Sequence, residues 1–363
     1  MSRKILTVVS GAPSGALNVA ATLANYFGTY FESKILLRKY NKANLKDVIV
    51  VKDVFVLDYI MNLHKVIKRI QPDLIIVHGY STHLWTKIAT IFSRVPLIHI
   101  EHNIEKYTIL RRWLLQYLDR YTLAYICVSQ GVANYLIEQG INKDKVSVIY
   151  NGIDINEFHK QKQPQPQFTI GMTARFTKQK DQLTLIKAIE YLVHNEDLSV
   201  RLILQGDGKQ KKKCIAYMNK KQLGNIITFE TGRLAELTPR LDLFVLATHY
   251  EGFGLVVCEA MAAHVPVIAS NVPGVNEIIE HGKDGYLVPD GDYKALAEHI
   301  RRCYWERQND MEVTQALTDA AFQKVITKFS VKMMCDQYYR FIQSILVSFK
   351  NKRIFKREER SNV

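Results

Sequence analysis

Short apolar runs of strand length alternate along the chain with longer stretches whose apolar residues recur every three or four positions. The runs near residues 4–10, 33–38, 73–78, 96–100, 124–128 and 146–150 predict strands, and helical spacing over 16–27, 54–69, 83–92, 104–121 and 130–139 fills the gaps. Strand then helix, repeated, builds parallel βαβ units with helices on both faces of a sheet. Such crossovers are almost always right-handed, so a doubly wound sheet is the economical topology. The pattern breaks at the turn signal Asn151-Gly152-Ile153-Asp154 and at the polar run 160–167, whose two prolines exclude a core strand. It then resumes with strands near 168–173, 199–205, 226–230, 243–247 and 266–269, and helices over 182–193, 209–221, 256–263, 293–302 and 331–349.

The pattern predicts an α/β chain of two Rossmann-like, doubly wound domains. The first covers 1–154, a linker 155–167, the second 168–330; helix 331–349 is expected to pack back toward the first domain, ahead of a basic tail at 350–363. A chain of 363 residues is long enough for two cores. Open α/β sheets bind ligands beyond the carboxyl ends of their strands, so a cleft between two such sheets is the expected active site.

Composition changes this picture little. No apolar run reaches membrane-spanning length, and residues 1–10 enter a strand directly, without the features of a secretory signal. The five cysteines are scattered and lack metal-ligand spacing, which suggests reduced thiols and a cytoplasmic protein. Charge is more informative. Of the net +14, residues 1–154 carry +8 (19 Lys and Arg against 11 Asp and Glu), and residues 350–363 carry +4 (six against two). This surplus attracts anionic substrates or surfaces; with no recognition motif beside it, a nucleic-acid partner is not expected.

The strongest chemical signal is Glu251-Gly252-Phe253-Gly254-Leu255-Val256-Val257-Cys258-Glu259. Glycines let backbone N–H groups approach a ligand, and the helix that follows favours negative charge at its N-terminus. A carboxylate can accept two hydroxyl hydrogen bonds at once, which suits a sugar or ribose diol. Alone, two glutamates at this spacing are equally a solvated side chain and a helix-terminal acid. A second signal is the loop 173–181, which delivers Arg175 and Lys180 ahead of a helix; two cations can neutralise a diphosphate. Lys178 is the nearby alternative. The turn 11–16, with Gly15, places amides toward a phosphate or acceptor, or is a turn only. His78, His83, His99 and His102 have no zinc spacing, and His102 lies just past a strand end, where it is either structural or in contact with substrate.

The glutamate–seven–glutamate element, together with 271–279 and 285–289, resembles the retaining glycosyltransferases of family four, which have the GT-B fold. The resemblance is close over the second half and loose over the first, where Leu17-Asn18 departs from the family's pattern. It implies that Glu251 binds donor-sugar hydroxyls and that the backbone of Gly252, Phe253, Gly254 and Leu255 contacts the sugar or diphosphate. Glu259 would hold the ribose, Arg175 and Lys180 the diphosphate, and His102 would stand near sugar or acceptor. Residues 146–154 resemble the family's domain-crossing turn, and the loop 230–233 its nucleotide-base region.

The expected activity is therefore hexosyl transfer from a nucleoside diphosphate sugar to an acceptor hydroxyl, with retention, in cell-surface glycan or lipid-linked saccharide synthesis. No metal and no cofactor beyond the donor substrate are expected. Rival readings are a nucleotide-sugar epimerase or hydrolase, and a non-catalytic sugar-nucleotide-binding protein. Charge further suggests peripheral work at an anionic membrane surface. In helix 104–121, Tyr107, Leu110, Leu114, Tyr117, Leu118 and Tyr121 predict a core face, with Trp113 beside it between Lys106 and Arg120. The basic tail, from Lys350 to Arg360, would add to attachment.

Overall fold

The structure, a computed structural model, describes residues 2–11, 14–38, 47–51, 55–91, 93, 95–104 and 107–361, with side chains up to residue 347. The chain divides into two compact units, Met1–Asn151 with Lys332–Val363, and Gly152–Val331.

The first unit holds β1 (Lys4–Val9), β2 (Glu32–Leu37), β3 (Val48–Val50), β4 (Leu74–His78), β5 (Leu97–Glu101), β6 (Ala124–Cys127) and β7 (Val146–Val148). All pair parallel, in the order β3-β2-β1-β4-β5-β6-β7. β4 and β5 are buried at every position, as parallel strands covered on both faces must be. The connecting helices are α1 (Gly15–Phe27), α2 (Val56–Ile70), α3 (Tyr80–Thr90), α4 (Ile109–Leu118) and α5 (Gln130–Glu138). Tyr59, Leu63 and Ile67 of α2 pack on Leu6, Ile75 and Val77 of the sheet, while Leu17 and Ala20 of α1 pack on Val9 and Ile35.

The second unit repeats the plan with β8 (Phe168–Thr173), β9 (Val200–Gln205), β10 (Ile227–Glu230), β11 (Leu243–Leu246), β12 (Val267–Ser270) and β13 (Tyr286–Val288), in the parallel order β10-β9-β8-β11-β12-β13. Its helices are α6 (Gln182–Glu196), α7 (Lys211–Lys220), α8 (Leu234–Leu237), α9 (Leu255–Ala262), α10 (Tyr293–Asn309) and α11 (Met311–Lys328). The last helix, α12 (Val331–Ser361), lies with the first unit: Tyr26 Oη donates to Asp336 at 2.6 Å, and the Tyr30 and Tyr339 rings stand 4.5 Å apart.

Several local expectations change. The stretch 155–167, read as a linker, belongs to the second unit: Gln163 N donates to the Pro239 carbonyl at 2.8 Å, and Lys162 pairs with Asp242 at 3.1 Å. The helix read over 104–121 is α4, shorter, ending in a 3-10 turn over Asp119–Tyr121. Its core contacts are Leu115 and Leu118, whereas Leu110 and Tyr117, expected in the core, are exposed with Trp113. Lys106 and the side chains of the basic tail lie outside the described residues, as do Ala12 and Pro13 of the first turn. All five cysteines are buried and unpaired. Among the described residues, no helix is long and apolar enough to cross a membrane.

Candidate functional site

In the second sheet the connection order reverses between β8 and β11, and the loops leaving their carboxyl ends carry the predicted residues. This is the topological switch point, where open α/β sheets bind ligands. The two loops are tied together: Asp181 N donates to Ala247 O at 3.0 Å, and His249 N to Gln179 O at 2.9 Å. The tie brings the Lys180 ammonium into contact with Glu251 Oε1, with side chains only 13% and 10% exposed. Thr248 Oγ1 donates to the same oxygen at 3.1 Å, and Ser270 Oγ at the end of β12 holds Thr248 N at 3.0 Å. Burial and the nearby Arg175 guanidinium press Lys180 down, to about 7. The carboxylate in contact pulls the other way, and at that closeness it holds the proton on the ammonium. Arg175 itself is exposed and makes no ion pair among the described residues.

Gly254 caps α9 in the left-handed conformation, φ 95°, which only glycine adopts without strain. Helix geometry leaves the first N–H groups, those of Leu255 and Val256, without intrahelical acceptors. Gly252, Phe253 and Gly254 are buried; the Phe253 ring packs edge-on against Phe329 at 5.4 Å. Glu259, one helical turn further on, has no hydrogen-bond partner among the described residues. Burial raises its carboxyl to about 7, against the pull of Arg233, which is itself paired with Glu157. The nearby loops fit closely: a Cβ on Gly206 would stand 2.2 Å from Ala174 O, and one on Gly232 would stand 2.9 Å from Gln205 Nε2.

In the first unit the histidines form a buried string at the carboxyl ends of β4 and β5. His78 Nδ1 lies 2.8 Å from His102 Nε2, the rings stacked. Glu101 accepts from His99 Nε2 and from Tyr107 Oη, both at 3.1 Å, and from His102 N at 3.1 Å. Burial opposes the Glu101 charge, but these donors outweigh it and hold the carboxyl below its usual range. Burial lowers His78 well below its ordinary value and His102 to about 4, so both rings are neutral near pH 7. His83 pairs with Thr122 at 2.9 Å, inside the core. Gly15 opens α1 behind the cap Ser14, whose side chain accepts from Leu17 N at 3.3 Å. Among the described residues, no group of three His, Cys, Asp or Glu stands together to hold a metal ion.

The structure thus brings Arg175, Lys180, Glu251, the glycine loop and Glu259 around one switch point. Sequence reasoning missed Thr248 and Ser270, which position Glu251, and placed Arg233 in the nucleotide-base loop without its pull on Glu259. The signal of the first two was their place just past β11 and at the last residue of β12.

Two doubly wound parallel sheets with such a loop set define the GT-B class. Residues 154–321 match the profile described as "Glycosyl transferases group 1", and residues 41–157 match "Glycosyltransferase Family 4". The chain belongs to the group 1 glycosyltransferases. Among similar proteins, the N-acetyl-alpha-D-glucosaminyl L-malate synthase of Bacillus anthracis is 28% identical over 59% of this chain. That alignment spans 57% of the relative, little more than half its length. The Escherichia coli UDP-Gal:alpha-D-GlcNAc-diphosphoundecaprenol alpha-1,3-galactosyltransferase is 23% identical over 77% of each chain. The crystal structure of Anabaena HepE in complex with UDP-glucose superposes with a TM-score of 0.83 at 24% identity, covering 94% of this chain and 99% of that one.

Proposed function

We propose that the protein moves a hexose from a nucleoside diphosphate sugar to an acceptor hydroxyl, with retained anomeric configuration. The observation that carries this reading is the grouping at the β8–β11 switch point. An unpaired arginine, a buried lysine, the start of a helix behind a glycine cap and a desolvated carboxylate on that helix stand together there. Cations and free N–H groups suit a diphosphate; Glu259 suits a ribose diol, and Glu251 the hydroxyls of the sugar. Catalysis then comes from stabilising the departing diphosphate and from positioning. On the front-face path, the bond from C1 to the phosphate oxygen breaks as the acceptor oxygen bonds to C1, and the leaving phosphate oxygen takes the acceptor proton. Arg175 and Lys180 do for the phosphates what a metal ion would otherwise do, so transfer is metal-independent. His102 contacts substrate as a neutral imidazole.

The names of the relatives support a uridine nucleotide as donor carrier and a lipid-linked saccharide as acceptor. The test begins with a panel of nucleotide sugars screened by thermal shift, since a binder raises apparent stability by mass action. The best donor then enters a transfer assay in excess chelator. Transfer should persist in chelator, and Arg175→Ala should lower turnover by roughly 10²- to 10³-fold while the fold stays intact. Wild-type turnover in the variant sinks the phosphate assignment. Donor turnover that ignores acceptor would instead favour a hydrolase or epimerase.

A further inference from the structure

Helix α4 carries an apolar ridge that its own unit leaves uncovered. Ile109 is 90% exposed, Leu110 66%, Trp113 56% and Tyr117 50%. At helical spacing these four positions fall within one arc of about 100°, away from the buried pair Leu115 and Leu118. Single exposed apolar residues are ordinary on any protein surface; four contiguous ones, two of them aromatic, are not. The Trp113 and Tyr117 rings stack 5.3 Å apart at 10°, so the ridge is an ordered plate. Cations frame it. The Arg120 guanidinium lies 4.5 Å over the Tyr117 ring, and exposed Arg112 is held by the Glu138 carbonyl at 3.2 Å. No acidic residue occurs in α4, and residues 1–154 carry +8.

We infer that α4 is a membrane-docking helix: Ile109, Leu110, Trp113 and Tyr117 enter the headgroup boundary of an anionic bilayer, and Arg112 and Arg120 pair with lipid phosphates. Charge complementarity selects this occupant. Aromatic and aliphatic side chains on one face, arginines at its margins and no carboxylate are what an interfacial helix presents. The inference goes beyond the proposed transfer reaction and does not need it, because attachment is measured without donor or acceptor.

The test is co-sedimentation of the full chain with vesicles of phosphatidylcholine alone or mixed with phosphatidylglycerol, at low and high salt. The wild type should bind the anionic vesicles, with a blue shift in tryptophan emission, and release at high salt. Ile109→Ser with Trp113→Ser should weaken binding about tenfold or more, since the buried apolar area is lost. Arg112→Gln with Arg120→Gln should remove the preference for anionic vesicles. Trp305→Ser, at an exposed tryptophan of the second unit, should leave binding unchanged. Melting temperatures close to wild type would show that all variants fold. Three outcomes overturn the inference: no preference for anionic vesicles; binding lost only when Lys350, Lys352, Arg353, Lys356, Arg357 and Arg360 become glutamine; or ridge variants that change only self-association.

Discussion

Glu259 has a carboxyl that titrates near 7 because burial disfavours its charge and only Arg233 offsets that cost. The sign of its effect on stability follows. The folded value lies above the ordinary one of 4.5, so the ionised group destabilises the fold above about 7, and the penalty vanishes below 4.5. Glu259→Gln should therefore raise the melting temperature at pH 8 and leave it nearly unchanged at pH 4.5, by about 1–2 kcal/mol at the alkaline end. The proposed ribose contact runs the other way, because an ionised carboxylate is the stronger acceptor. A nucleoside diphosphate sugar has both phosphates esterified and does not titrate in this range, so its affinity should rise severalfold from pH 6 to pH 8. In Glu259→Gln that rise should disappear and binding should be weaker throughout. Calorimetric titration at the two pH values checks both; equal affinities for wild type and variant would remove Glu259 from the ribose.

The loop from β11 to α9 owes its shape to the turn that follows β12. Gly274, at φ 86°, comes so close that an added Cβ would lie 2.9 Å from Glu251 O and 3.0 Å from Gly252 O. Gly282 has a similar φ, 78°, but nothing within 4 Å. Both Gly→Ala changes bear the strain of a left-handed alanine, roughly 1–2 kcal/mol. Only Gly274→Ala also pushes the backbone that carries Glu251, so it should lower transfer by tenfold or more, with Gly282→Ala close to wild type in activity despite its own, smaller loss of melting temperature. Equal activities would detach the turn from the site. The glycine loop, the two glutamates and the cation pair were legible in the sequence because each is local: a strand end, a few residues, a helix start. Their partners were not, since Thr248 reaches Glu251 Oε1, and Arg233 biases Glu259, only after separate strands are laid side by side. Short elements escaped as well; β3 and β13 are three residues each, too brief for any periodicity. Missing α11 and misjudging the buried face of α4 have one cause. Helical spacing says that a face exists, whereas the neighbouring elements decide which face is covered.

At the scale of the whole molecule, the two units should answer acid in opposite ways. The first unit buries His78, His83 and His102, all held below their ordinary 6.5, chiefly by burial. A depressed histidine leaves stability untouched above 6.5. It takes stability away as pH falls from there toward the folded value, because the unfolded chain binds the proton first. Between pH 6.5 and 5 each can cost up to about 2 kcal/mol. Buried Lys87, lowered to about 7 by burial, has already exacted its full penalty at the top of that window, and Glu101 acts only below 4.5. In the second unit Lys180 keeps its charge across the window through its contact with the Glu251 carboxylate, while Glu259 regains protons and stabilises as pH falls. Tryptophan placement makes the two separable, with Trp85 and Trp113 in the first unit and Trp305 in the second. Urea unfolding of Trp305→Phe, followed by fluorescence, should show a midpoint that drops clearly from pH 7 to pH 5. The doubly substituted Trp85→Phe, Trp113→Phe chain should show a midpoint that holds or rises over the same interval. Midpoints that fall together would mean that the units unfold as one cooperative body, or that groups other than the histidines carry the drop. Repeating the Trp305→Phe titration in a His83→Phe background decides between these, since relief of the acid drop there assigns the cost to burial of the ring.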